Sequence, residues 1–142
     1  MRASRLYRIA AVLLLLFAVS HTLGFPQPPS AASGVDSVMK SMRTIHFDMM
    51  GFDRTYWDLF LAAGFSLGVL YLFAAIFAWQ LGGLPTASLA RMRGTAWTFA
   101  LAFGAIAVVS WRYLFIIPIV FSIVITVCLI AAAWMSAKEV AP

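Results

Sequence analysis

A chain of 142 residues has room for one domain. At 63% hydrophobic and 11% charged, against roughly 25% charged in an ordinary soluble domain, it holds more apolar surface than a water-soluble protein of this size can bury. Ten basic residues against five acidic give a net charge of +5, but they border apolar runs instead of forming one patch. That excludes a nucleic-acid face and makes the lipid bilayer the first partner.

Four apolar runs follow in chain order, each near the roughly 20 residues that a membrane helix needs. The first, about 7–25, comes after Arg2 and Arg5, includes Leu13 to Leu16, and is ended by Pro26, Pro28 and Pro29. Arg2, Arg5 and Arg8, an apolar stretch and Ala18-Val19-Ser20 also have the form of a cleavable leader. The apolar run continues through Phe25 with no polar stretch after such a cut, which favours a retained helix. The second run covers about 56–81 and stops at Gly82, Gly83 and Pro85. The third and fourth, about 95–112 and 114–135, must be separate, because one helix from Thr95 to Met135 would be about 60 Å long. A turn near Arg112 is therefore expected, with Pro118 in the first turn of the last helix, where its missing N–H costs nothing. Cys128 lies within that last run and reads as a small hydrophobe.

Between the first two runs is a polar connection. Phe25-Pro26-Gln27-Pro28-Pro29-Ser30 should be extended. Beyond it, Val35, Val38, Met39, Met42, Ile45, His46 and Met49 recur at spacings of three and four, with Asp36, Lys40, Ser41, Arg43 and Asp48 between them. That periodicity predicts an amphipathic helix over about 34–50, lying on the membrane surface or capping the bundle. The fold class is thus all-α: an integral membrane four-helix up-down bundle with an outer amphipathic helix between helices 1 and 2.

Orientation follows from the basic residues. With both termini cytoplasmic, Arg2, Arg5, Arg8, Arg91, Arg93 and Lys138 are inside, against Lys40, Arg43, Arg54 and Arg112 outside. The same topology places His21, His46, Arg54, Asp58 and Arg112 at the outer mouth of the bundle, the candidate ligand-binding site. Trp57, Trp111, Tyr56 and Tyr113 at that depth read as an interfacial belt. Asp58, one turn inside a membrane helix, needs a partner. Its own helix N-terminus supplies one, and an Arg112 pair or a ligand is the rival.

Several function classes remain. The leading one, reached largely by elimination, is a non-catalytic binding or accessory component taking a small apolar or lipid-like ligand. A membrane enzyme acting on a lipid or quinone-like substrate is an alternative, although no catalytic motif supports a particular reaction. A transporter subunit would need a homo-oligomer, and Gly64-x-x-x-Gly68 allows close helix contact, within the bundle or between copies. Met39, Met42, His46 and Met49 on one helical face offer soft ligands for copper, and His21 with His46 offers a haem pair. The pattern identifies no cofactor.

His21-Thr22-Leu23-Gly24, Arg54-Thr55-Tyr56-Trp57-Asp58 and Gly64-Phe65 resemble segments of a group of small bacterial four-helix membrane proteins of unassigned function. The overall plan looks, more loosely, like DoxX-type bundles. The resemblance implies four spans in a bacterial inner membrane and supplies no activity.

Overall fold

Small side chains gather on the inward side of the apolar helices, with a few bulky ones such as Tyr7, Leu14, Ile125 and Leu129 packed among them. In α1 (Arg2–Gly24), Ala3, Tyr7, Ala10, Ala11 and Leu14 are buried at spacings of three and four, while Ile9, Val12, Leu15 and Leu16 are exposed. A helix that is apolar all round has no polar face to orient it, so close approach over alanine does so instead. The computed structural model describes residues 2–26 and 34–138. Gln27 to Ser30 of the proline stretch and Glu139 lie outside the described residues.

After α1 come α2 (Val35–Thr44), β1 (His46–Met49), β2 (Phe52–Thr55), α3 (Tyr56–Gly83), α4 (Thr86–Arg91), α5 (Arg93–Tyr113) and α6 (Ile116–Lys138). Four of these, α1, α3, α5 and α6, are long and apolar enough to cross a membrane. The chain divides into two compact units, Met1–Phe17 with Tyr71–Pro142, and Ala18–Leu70.

In the first unit, α5 and α6 form a helical hairpin joined only by Leu114 and Phe115. The turn lies next to Arg112, and Pro118 occupies the first turn of α6. Ala96, Ala100 and Phe103 of α5 are buried, as are Ile125, Leu129, Ala132 and Ala133 of α6. Phe17 packs on Tyr71 and Phe121, with ring centroids 4.5 and 5.5 Å apart. The Ser4 hydroxyl donates to the carbonyl of Gly82.

The second unit departs from the predicted plan. The helix expected over 34–50 ends at Thr44, and an antiparallel hairpin follows it. His46 pairs with Thr55, Phe47 with Arg54, Asp48 with Asp53 and Met49 with Phe52. Its two-residue turn, Met50-Gly51, has both φ angles positive, 56° and 89°, as a type I′ hairpin turn requires. Residues 46–49 alternate polar and apolar with period two, which suits a strand, and Gly51 supplies the turn that a helix would not tolerate cheaply.

Candidate functional site

Within Ala18–Leu70, three structural features hold the chemistry. The first is the junction of hairpin and helix. Thr55 is buried and precedes α3. Its backbone N–H and its hydroxyl both donate to Asp58 Oδ2, each at 2.8 Å, and the Asp58 N–H donates back to Thr55 Oγ1 at 3.2 Å. This is a capping box, which satisfies amides that the first turn of a helix leaves unpaired. The cap explains why a carboxylate stands at the start of an apolar helix.

The second feature joins the end of α1 to α3. His21 Nε2 donates to the carbonyl of Gly64 at 3.0 Å, which requires the ring proton on that nitrogen. The imidazole stacks on Phe25 at 5.6 Å, and Phe25 packs against Phe60 and Phe65 at 4.7 and 5.7 Å. The Phe25 ring occupies the space a Cβ on Gly64 would take, and a Cβ on Gly68 would stand 2.7 Å from Thr22 Oγ1. Gly64-x-x-x-Gly68 is therefore used inside the chain, against the end of α1.

The third is a groove lined by Met49, Phe52, Arg54, Asp58, Leu59 and Ala62, of about 240 Å³. Arg54 and Asp58 put one cation and one anion above an apolar floor. Arg54 Nη1 donates to the carbonyl of Asp53 at 2.7 Å, and its guanidinium lies 5.3 Å from the centre of the Phe52 ring. The volume is below the roughly 300–1,000 Å³ of pockets that enclose a drug-sized ligand. It suits a chain or headgroup fragment with the rest outside.

The hairpin register separates two groupings. His46 does not share a face with Arg54, because strand alternation puts residues 46, 48, 53 and 55 on one side of the hairpin and 47, 49, 52 and 54 on the other. On its own face His46 Nδ1 meets both oxygens of Asp53 at 3.0 and 2.9 Å, with the two side chains 58% and 72% exposed. The same alternation separates the copper candidates: Met39 and Met42 are on α2, and His46 and Met49 point to opposite faces of the hairpin. Helical register, the premise of that ligand set, stops at Thr44. Arg112, in the other unit, closes α5 with its guanidinium 5.2 Å from the centre of the Tyr113 ring.

The close contact that Gly64-x-x-x-Gly68 allows is thus made within the chain, while Thr55 and Asp53 are site residues that the sequence analysis does not single out. Thr55-Tyr56-Trp57-Asp58 before an apolar run is itself a capping signature. Asp53 as the partner of His46 becomes visible only once the register is known. No protein-family model, curated protein or solved structure matches the chain.

Proposed function

We propose that the chain is a four-span protein of a bacterial inner membrane, both termini cytoplasmic, and that it acts as a non-catalytic binding or accessory component. Its ligand is a lipid-like amphiphile held in the groove beside the start of α3. The observation that carries this reading is the pairing of Arg54 and Asp58 with a floor of Met49, Phe52, Leu59 and Ala62. An amphiphile has the same division of polar head and apolar body, and the guanidinium has further N–H donors for an anionic head.

The membrane half rests on the apolar helices. No more than 33% of the apolar window of any of the four is buried within the chain, so most of that surface needs hydrocarbon around it. The bias of arginines toward the N-terminal side of the first helix supports the orientation, and the resemblance of the His21–Gly24 and Arg54–Asp58 segments supports the bacterial setting. Holding a ligand is favoured over turning one over, because the groove residues include no nucleophile with an adjacent base and the Asp58 carboxylate is engaged by Thr55.

Native mass spectrometry of the full chain released from lipid nanodiscs tests the reading. Retained lipid-mass adducts that decrease in Arg54→Gln are expected. Adduct patterns identical in wild type and Arg54→Gln overturn the groove as the binding site.

A further inference from the structure

The two faces of the hairpin are unlike. His46, Asp48 and Asp53 make one polar, whereas Phe47, Met49, Phe52 and Arg54 make the other. The second face turns toward α3, because Met49 and Phe52 line the same groove as Leu59 and Ala62. Ala62 is six residues beyond Tyr56, about 9 Å along the axis at 1.5 Å per residue. The hairpin therefore doubles back beside the apolar part of α3 and does not stand away from it.

Its tip is also apolar. Met50 is 95% exposed and Phe52 61%. Met50 adopts a φ of 56°, where asparagine or glycine is the usual choice at a water-facing turn. Nearby, the Arg43 guanidinium of α2 lies 4.3 Å from the centre of the Trp57 ring, and Phe47 packs on Tyr56 at 5.0 Å. These contacts tie α2 and the hairpin to the first turn of α3, where tryptophan and tyrosine mark the membrane interface. A two-stranded ribbon has unpaired outer edges, which keep its backbone out of hydrocarbon. Headgroup depth, with side chains reaching inward, satisfies both constraints.

We propose that the hairpin is a lipid-contacting flap, with the Met50 and Phe52 side chains inserted at the headgroup–acyl boundary beside the start of α3. The proposal rests on α3 crossing a bilayer and is independent of amphiphile binding in the groove. Because the flap borders that groove, it would place a lipid from the surrounding leaflet next to Arg54.

Spin-label accessibility tests it in the full chain, in phosphatidylcholine nanodiscs and a Cys128→Ser background. Nitroxides go on Met50→Cys, on Ser41→Cys at the polar side of α2, and on Val69→Cys, 66% exposed within α3. The preference for collision with oxygen over a water-soluble nickel chelate should rank 69 above 50 and 50 above 41. A label at 50 as aqueous as that at 41, with 69 in lipid, overturns the flap and leaves the span intact. An aqueous label at 69 overturns both. Should Met50→Cys fold poorly, oxidation of Met50 in the wild-type chain by an anionic water-soluble oxidant gives a second measure. Slower oxidation in nanodiscs than in the urea-unfolded chain is expected, and equal rates overturn the proposal.

Discussion

Thr55 and Asp58 cap one another across the point where strand becomes helix, the Thr55 amide and hydroxyl both donating to one carboxylate oxygen at 2.8 Å. The cap fixes the direction in which β2 leaves α3. It thereby sets where the paired strand β1, the Met50-Gly51 turn and the groove residues Met49 and Phe52 come to lie. Local chemistry at one helix end thus positions the groove in which Arg54 and Asp58 meet an apolar floor.

Loss of the cap should loosen the hairpin as well as the helix start. Thr55→Ala is expected to cost about 1 kcal/mol, the usual cost of replacing a capping threonine by alanine, and Thr55→Ser to keep most of it. Hydrogen exchange in nanodiscs should show faster amide exchange at residues 55–58 in Thr55→Ala, with Thr55→Ser close to wild type. Unchanged exchange in Thr55→Ala would show that the bonds do not hold the junction.

The four apolar helices were legible because length and hydropathy decide them: once water is excluded as the solvent, a run such as residues 56–81 has no other stable form. The hairpin was not legible. Val35, Val38, Met39, Met42 and Ile45 set a helical rhythm that His46 and Met49 happen to continue, while the period-two alternation over 46–49 is too short to stand out against it. Methionine at the first turn position also hid the type I′ signal that asparagine or glycine would have given. A helix would put His46 and Met49, three residues apart, on one face, whereas the strand puts them on opposite faces. The helix N-terminus as partner of Asp58 is legible from its position, whereas the reciprocal bond with Thr55 follows only from the capping signature three residues earlier.

The two glycines of α3 should be intolerant in a graded and reversible way. Gly64→Ala must displace the Phe25 ring, which packs against Phe60 and Phe65, and overpacking of this kind costs typically 1–3 kcal/mol. Gly68→Ala clashes with Thr22 Oγ1 at 2.7 Å and meets its other neighbours at ordinary distances of 3.8 Å or more, so Thr22→Ala should restore much of its loss. Gly104→Ala, whose Cβ would find Thr126 Cγ2 at an ordinary 3.8 Å, should leave stability unchanged or raised, as helix propensity favours alanine. Thermal unfolding of the single and double variants in nanodiscs checks the order, and additive losses at 68 and 22 would refute the contact.

The His46–Asp53 pair should matter little to stability. Both side chains are more than half exposed, and exposed ion pairs contribute about 0.2–1 kcal/mol, less at high salt. Asp53→Asn is expected to change the unfolding midpoint only slightly, and raised salt should shrink the difference further. By contrast, His21→Ala removes both the bond to the Gly64 carbonyl and the stacking on Phe25, and should be the more damaging histidine change. If His46→Ala proves as destabilising as His21→Ala, the exposed pair has a structural weight that its geometry does not explain.

Gly51 is the position at which backbone conformation alone should govern the outcome. Its φ of 89° lies where L side chains are strained, and a Cβ there would meet no atom within 4 Å. Any loss in Gly51→Ala is therefore conformational and not steric, of order 1 kcal/mol. Asparagine tolerates positive φ better than alanine, so Gly51→Asn should fall between the two despite its larger side chain. Amide exchange across residues 46–55 reports the ordering directly, fastest in alanine, intermediate in asparagine and slowest in glycine. An asparagine variant less protected than the alanine one would mean that side-chain size at the tip, and not the turn's handedness, controls the hairpin.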